Sequence, residues 1–166
     1  DYSGSCNDVV NAAVTIGATP IAGAGSNGVI NCSNPTTSLS GTGGGAYSWV
    51  ASGGGNITAG AGTASPTVNA AGTYTLTVTN TDGCIDSDIA TVSADMTPPT
   101  AGSSAAGIIN CNNTTTTVTG TGGGTYSWSG PGIVSGGSTS AATVNAAGSY
   151  TVTVTAANGC TATSSV

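Results

Sequence analysis

Apolar and polar residues alternate with a period of two in two long runs of the chain. In residues 73–79 three apolar side chains alternate with threonines, and residues 150–155 repeat the pattern. A period of two places the apolar side chains on one face of a β-strand and the hydroxyls on the other. Each run leads into an Asp-Gly or Asn-Gly pair, which two-residue hairpin turns prefer because both central residues need positive φ. Each run therefore predicts a β-hairpin with a cysteine at its turn, Cys84 in the first and Cys160 in the second.

The two hairpins belong to a longer internal repeat. The matched residues are Cys6, Cys84 and Cys160; Cys32 and Cys111; Trp49 and Trp128; and Tyr74 and Tyr150. Their spacing suits a small independent β domain better than a solenoid or propeller repeat of roughly 20 to 50 residues. Each repeat contains about seven short runs typical of strands, the first at 19–24, and no run with helical periodicity.

This repeat predicts three segments along the chain. Residues 1–17 correspond to the closing hairpin and last strand of a preceding repeat, residues 18–96 to a complete repeat, and residues 97–166 to a second repeat that lacks its final strand. Two interpretations remain open. Either the sequence is a window on a longer array, or the first strand of one subunit completes the last domain of the next by strand addition.

The charge of the chain excludes several classes of function. It has no Lys, Arg or His, and six acidic residues give a net charge of -6. A protein without cationic side chains cannot neutralise phosphates, so we expect binding neither to nucleic acid nor to an anionic membrane surface. Acid–base catalysis would lack its usual His and Lys groups, so we expect no enzyme and no cofactor. No apolar run approaches the roughly 18 residues of a membrane span.

One motif, present in both repeats, resembles a known family of surface proteins. It reads Asn-Cys…Gly-Gly-Gly-(Ala/Thr)-Tyr-Ser-Trp…Ala-Ala-Gly-(Thr/Ser)-Tyr-Thr-(Leu/Val)-Thr-Val-Thr…(Asp/Asn)-Gly-Cys. The motif resembles the PKD-like and immunoglobulin-like repeats of large secreted surface adhesins in gliding, Bacteroidetes-type bacteria. The resemblance implies tandem all-β immunoglobulin-like (PKD-like) sandwich domains, secretion to the cell surface, and a role as spacer or filament. The chain lacks the acidic run that follows the tryptophan in PKD domains.

Five cysteines at recurring places favour disulfides and an oxidising, extracellular setting. Within the resemblance, we expect Cys32 to pair with Cys84 and Cys111 with Cys160, which closes each domain on itself and leaves Cys6 for a partner outside the sequence. In an immunoglobulin topology the members of each pair can lie at opposite ends of a domain. Pairing across a domain boundary therefore stays an alternative.

Two further groups of side chains are candidates for sites. Four carboxylates crowd the last hairpin of the first repeat and the linker between the repeats, residues 95–100, where they could hold calcium or discourage pairing at a strand edge: Asp82, Asp86, Asp88 and Asp95. Four aromatic residues are expected in the domain cores, where buried Trp and Tyr are common in small β domains: Trp49, Trp128, Tyr74 and Tyr150.

The sequence therefore predicts a non-enzymatic structural repeat protein that forms a stiff extracellular filament or adhesin stalk. Its partners are expected to be neighbouring repeats or subunits of the same protein. The alternative is an adhesin module that binds a glycan or another surface through its loops or threonine faces. Regular threonine rows also raise ice binding, although the twist of a sandwich sheet speaks against it.

Overall fold

The computed structural model describes residues 17–25 and 28–166, and this part of the chain contains strands and no helix. In chain order the strands are β1 (Gly28–Asn31), β2 (Thr37–Ser38), β3 (Ala46–Ser52), β4 (Ile57–Ala59), β5 (Thr67–Val68), β6 (Gly72–Thr79), β7 (Ile85–Asp95), β8 (Gly102–Ala105), β9 (Thr116–Thr121), β10 (Thr125–Ser129), β11 (Ile133–Ser135), β12 (Ala141–Val144), β13 (Thr151–Thr155) and β14 (Thr161–Ser165). The all-β prediction is confirmed. Within the described residues no helix is long and apolar enough to cross a membrane.

Strands β1 to β7 form two sheets that we call the N-terminal sandwich. One sheet has the order β1-β7-β6-β3 and the other β2-β5-β4. Both sheets supply apolar side chains to one core, because alternate residues of each strand point inward. The buried members of this core are Ala24, Ile30, Leu39, Trp49, Val68, Tyr74, Leu76, Val78, Ala90 and Val92.

Strands β8 to β14 form the C-terminal sandwich, with a separate core. Its sheets have the orders β10-β13-β14 and β11-β12-β9-β8. The buried members of the cluster are Val118, Trp128, Ala142, Val144, Tyr150, Val152 and Val154. The repeat boundaries at 17/18 and 96/97 stay predictions, and residues 1–16 of the first predicted segment lie outside the described residues.

The two predicted hairpins form, but their turns are longer than predicted. β6 pairs antiparallel with β7, and β13 with β14. In the first hairpin the residues between the paired strand ends are Asn80–Cys84, and only Gly83 has positive φ, at 81°. The two-residue turn is wrong because the Asn80 side chain closes a wider loop: its Oδ1 accepts hydrogen bonds from the N–H groups of Asp82 at 3.0 Å and Cys84 at 2.9 Å.

The strand expected at 19–24 is reduced to an isolated bridge between Gly23 and Thr42. Two amides of this segment donate to the side chains of Asp86 and Asp88 in β7 and not to a neighbouring backbone. The segment therefore lies against the sandwich without a regular ladder.

Candidate functional site: the junction between the two sandwiches

A disulfide joins the two sandwiches. It links Cys32, in the turn after β1, to Cys160, in the turn before β14, with an S–S distance of 1.96 Å and a Cα–Cα distance of 5.0 Å. The two residues are 128 positions apart in sequence. Cys160 is buried, and the sulfur of Met96 lies 3.8 Å from Cys32 Sγ. The junction between the sandwiches is therefore covalent.

This bond corrects the predicted pairs Cys32–Cys84 and Cys111–Cys160. β1 runs parallel to β7, so Cys32 follows the residue opposite Asp95 at the end of β7, whereas Cys84 precedes the first residue of that strand. An 11-residue strand is about 35 Å long at about 3.3 Å per residue. A disulfide requires Cα atoms within about 7 Å. Cys32 and Cys84 therefore lie at opposite ends of the N-terminal sandwich, and the alternative of pairing across the boundary is the one that the structure has.

Asn158 adds a polar clamp beside the disulfide. Its Nδ2 donates to Asp95 Oδ1 at 2.9 Å, to the Asp95 carbonyl at 3.3 Å and to the Thr97 carbonyl at 3.0 Å. The Asn158 carbonyl in turn accepts a hydrogen bond from the backbone N–H of Ser33 at 3.2 Å. Its Oδ1 accepts from the N–H of Cys160 at 3.0 Å. One side chain therefore ties the hairpin turn of the C-terminal sandwich to the end of β7 and to the linker.

Two matching turns present the cysteines that follow β1 and its counterpart. In the first, the Asn31 N–H donates to the Asn34 carbonyl at 3.0 Å, and the Asn34 N–H donates to Asn31 Oδ1 at 2.8 Å. Asn110 and Asn113 form the same two bonds, both at 2.8 Å. Such side-chain closure holds a turn in one conformation. Cys111 is therefore held in the same kind of turn as Cys32.

Two thiols in the described part of the chain are free. Cys84 is half-buried in the β6–β7 turn, and Cys111 is exposed. Each is the repeat counterpart of a member of the junction disulfide, Cys84 of Cys160 and Cys111 of Cys32. Cys6, the fifth cysteine, lies outside the described residues.

Asp86 and Asp88 hold residues 22–24 against β7. Asp86 Oδ2 accepts the backbone N–H of Ala22, and Asp88 Oδ2 accepts that of Ala24, both at 2.8 Å. The hydrogen bond from Ala24, followed by one from the backbone of Ile89, holds the pKa of Asp88 below its usual value of 3.8, against a smaller opposing effect of desolvation. These carboxylates act as acceptors for backbone amides.

The four aspartates do not converge on a metal site. Asp95 accepts from Asn158, and Asp82 lies on the β6–β7 turn beside Gly17. In the described ranges no three or more Cys and Asp side chains are grouped to hold a metal ion. Calcium binding stays a prediction, and the placement of these side chains does not favour it.

The four aromatic residues predicted in the cores are buried there. Trp49 Nε1 donates to the Thr63 carbonyl at 3.0 Å, and Trp128 Nε1 to that of Thr139 at 3.1 Å. Each tyrosine hydroxyl donates four residues back along the chain, Tyr74 to Ala70 at 2.6 Å and Tyr150 to Ala146. These are the bonds of a tyrosine corner, which fixes the entry of a strand in immunoglobulin-like sandwiches.

The outer face of the sheet β10-β13-β14 carries nine hydroxyl side chains in three cross-strand rows. The alternation along each strand points these residues away from the core. The rows are Ser129, Thr151 and Ser165; Ser127, Thr153 and Thr163; and Thr125, Thr155 and Thr161. The matching face of the N-terminal sandwich is mixed, because exposed Val50 and Ile89 flank Thr75 in its row.

Sequence reasoning missed the asparagines that build the junction. The sequence pattern indicates only a turn at Asn158 and assigns no role to Asn31 or Asn110. A usable signal exists in the chain: an asparagine directly precedes Cys32 and Cys111, and another stands two positions before Cys160.

The comparisons with known proteins support part of the resemblance. Residues 16–94, just under half of the chain, match the model of the PKD-like domain family. The human desmocollin-1 ectodomain aligns with 92% of the chain at 10% identity and a TM-score of 0.36. This chain covers 37% of that ectodomain. No curated protein matches the sequence. The origin in surface adhesins of gliding bacteria stays a prediction.

Proposed function

We propose that this chain is a non-enzymatic structural module of an extracellular stalk or filament. The observation that carries the proposal is the disulfide between Cys32 and Cys160, which joins one sandwich covalently to the next. A stalk transmits position and load, and a covalent junction restricts the hinge that a short linker would otherwise allow. A disulfide also persists in an oxidising, extracellular environment.

Three further observations support the proposal. Residues 16–94 match a PKD-like domain. The Asn158 side chain bonds to Asp95 and Thr97, so the linker is held from the side as well as by its prolines. The chain contains no Lys, Arg or His, so acid–base catalysis would depend on Asp, Tyr or Cys alone, and trypsin has no cleavage site.

Small-angle X-ray scattering of the oxidised chain tests the stalk. We expect a narrow distribution of interatomic distances for the wild type. The distribution should be broader for a Cys32→Ser variant, because its two sandwiches can hinge about residues 96–101. Cys111→Ser is the matched control, because it removes a free thiol from the equivalent turn. Equal scattering of the wild type and the Cys32→Ser variant would show that the disulfide does not stiffen the junction.

A second function rests on the nine hydroxyls outside β10-β13-β14. Rows of exposed hydroxyl side chains can hydrogen-bond to a glycan or to another surface, which makes an adhesin module the alternative. A glycan array separates the two functions, since a stalk gives no hits. Thermal hysteresis of the purified protein tests ice binding at this face, and we expect none because the sheet twists.

A further inference from the structure

Asn158 and Gly159 form a dipeptide that is prone to lose the side-chain amide as ammonia. Because glycine has no Cβ, its backbone nitrogen can reach Cγ of a preceding asparagine and close a five-membered succinimide ring. The sequence has one other such pair, Asn27–Gly28, and Asn27 lies outside the described residues. Asn158 is half-buried beside the junction disulfide. A reactive amide therefore lies where the two sandwiches meet.

The junction holds the nitrogen that would leave as ammonia. Asn158 Nδ2 donates to Asp95 Oδ1 at 2.9 Å, to the Asp95 carbonyl at 3.3 Å and to the Thr97 carbonyl at 3.0 Å. Within the hairpin, the N–H of Gly159 donates to the Ala156 carbonyl at 2.9 Å. Cγ of Asn158 cannot turn towards the Gly159 nitrogen while these bonds persist. Ring closure therefore requires that the junction open first.

The disulfide keeps the Asn158 hydrogen bonds closed. Asp95 and Thr97 are exposed, and hydrogen bonds to exposed groups contribute little by themselves because water competes for the same donors. The bond between Cys32 and Cys160 raises the effective concentration of the two turns at each other. Cys32 is its exposed member and Cys160 is buried. A thiol reductant can therefore reach the bond from the Cys32 side and release the clamp.

An aspartate at position 158 fits the hairpin but not the junction. Conversion removes both N–H donors of Asn158 and places a carboxylate against the carboxylate and the carbonyl of Asp95 and the carbonyl of Thr97, which are all acceptors. The first hairpin already has an aspartate, Asp82, at the equivalent position, and its strands pair. Loss of the amide therefore preserves the hairpin and abolishes the clamp.

From these observations we propose that Asn158 is a deamidation site controlled by the junction disulfide. While the bond between Cys32 and Cys160 is intact, the amide is protected. Once a thiol reductant opens the bond, Asn158 is converted, and the two sandwiches can no longer close on the same contacts. The proposal rests on the proposed stalk function and gives the stalk an irreversible transition from stiff to hinged.

Reduction and deamidation each balance. Two thiols of the reductant are oxidised to one disulfide, and two electrons and two protons pass to Cys32 and Cys160. In ring closure the Gly159 nitrogen loses its proton and bonds to Asn158 Cγ, while the bond from Cγ to Nδ2 breaks and ammonia leaves. One water molecule then opens the succinimide and gives aspartate or isoaspartate.

The rate of deamidation tests the protection. The oxidised 166-residue chain is incubated at mildly alkaline pH, denatured and cut with chymotrypsin after Tyr150, and the fragment 151–166 contains Asn158 as its single asparagine. Mass spectrometry should show deamidation about tenfold slower than in a synthetic peptide of residues 154–162, because the folded chain must open locally before it reacts. Dithiothreitol should remove most of this difference.

Two cysteine variants separate the disulfide from the reductant. Cys32→Ser should deamidate at Asn158 as fast as the reduced wild type, and dithiothreitol should not raise its rate further. Cys111→Ser removes a free thiol from the equivalent turn and should stay as slow as the oxidised wild type. Near-UV circular dichroism from Trp49 and Trp128 verifies that both sandwiches stay folded in each sample.

The irreversible step is tested with variants that mimic the product. In a glutathione redox buffer, Asn158→Asp should lower the equilibrium constant for closing the bond between Cys32 and Cys160 by about tenfold, because it sets two carboxylates against each other. Asn158→Ala should lower it less, since it removes the donor without adding a charge. Asp82→Asn makes the reverse exchange at the equivalent position of the first hairpin and should leave the constant unchanged.

Two outcomes overturn the proposal. Equal deamidation rates in the oxidised and the reduced chain would show that the disulfide does not protect Asn158. Equal closing of the disulfide in Asn158→Asp and the wild type would show that the product is compatible with the junction. Scattering from freshly purified wild type and Cys32→Ser, recorded before any deamidation, tests the stalk separately. The stalk function can therefore fail while Asn158 stays protected, or stand while Asn158 proves unprotected.

Discussion

The backbone N–H of Ser33 donates a hydrogen bond to the carbonyl of Asn158, 3.2 Å away, one residue from the disulfide on either side. Gly159 lies between Asn158 and Cys160 with a φ of 79°. A Cβ added there would lie 1.9 Å from Ser33 Oγ and 2.7 Å from Ser33 N. The turn before β14 is therefore packed against the turn after β1 too closely for any side chain at this position.

Gly159→Ala should weaken the junction. Positive φ alone costs an alanine roughly 1–2 kcal/mol, and displacement of Ser33 should remove a hydrogen bond worth about 1 kcal/mol. Gly83→Ala is the matched control, since Gly83 has a φ of 81° in the equivalent turn and nothing within 4 Å of its added Cβ. Urea unfolding and the fraction of Cys32–Cys160 disulfide in a redox buffer should both show the larger loss for Gly159→Ala. Equal losses would mean that the close contact is not maintained in solution.

Acid should release the segment that Asp88 holds. The folded pKa of Asp88 is lowered by the amides of Ala24 and Ile89, whereas an aspartate in the unfolded chain has a pKa of about 3.9. The ionised form is thus favoured by folding. Its contribution is fully present above the unfolded pKa and is lost as the pH falls through the lower, folded value.

Melting temperatures measured from neutral pH down to about pH 2 test this. Asp88→Asn should flatten the fall at acid pH, and Asp82→Asn is the control for removing one negative charge from the exposed turn. A parallel acid dependence for the Asp88→Asn variant and the wild type would exclude a role of Asp88.

Tyr74→Phe should destabilise the N-terminal sandwich by about 1–3 kcal/mol, because it leaves a half-buried amide without its acceptor. The Tyr74 hydroxyl donates to the Ala70 carbonyl and also accepts the Asn56 N–H at 3.0 Å. Tyr126→Phe is the comparison, since that hydroxyl donates to the Gly122 carbonyl at 2.5 Å and its loss leaves no amide unpaired. Denaturant titration should show a larger loss in the free energy of unfolding for Tyr74→Phe than for Tyr126→Phe. The reverse order would contradict the assignment of Tyr74 to a tyrosine corner.

Calcium should leave the melting temperature unchanged. Asp86 and Asp88 already accept backbone amides, and Asp95 accepts the Asn158 side chain. Calorimetry with excess calcium against a chelator measures this directly. A rise with calcium that Asp86→Asn abolishes would instead establish the ion site.

Alternation was enough to predict the hairpins and the core, because inward residues such as Leu76 and Val152 depend only on the period of their own strand. The cysteine pairing depends on which end of a sandwich each turn occupies, and thus on the parallel pairing of β1 with β7, which no local pattern encodes. The roles of Asp86 and Asp88 as acceptors for the amides of Ala22 and Ala24 also could not be predicted. Both lie on the strand face of Ala90, but Asp88 is exposed, so burial does not require it to find a hydrogen-bond donor in another segment.

The span of the junction disulfide also determines how the chain responds to tension. When residues 17 and 166 are pulled apart, the force passes through the bond between Cys32 and Cys160, and the chain between them is bypassed. The bypassed stretch, with a separation of 128 residues, stores about 430 Å of contour at about 3.4 Å per residue. Only the short segments outside the disulfide can extend, and reduction of one covalent bond turns an inextensible element into a long molecular spring.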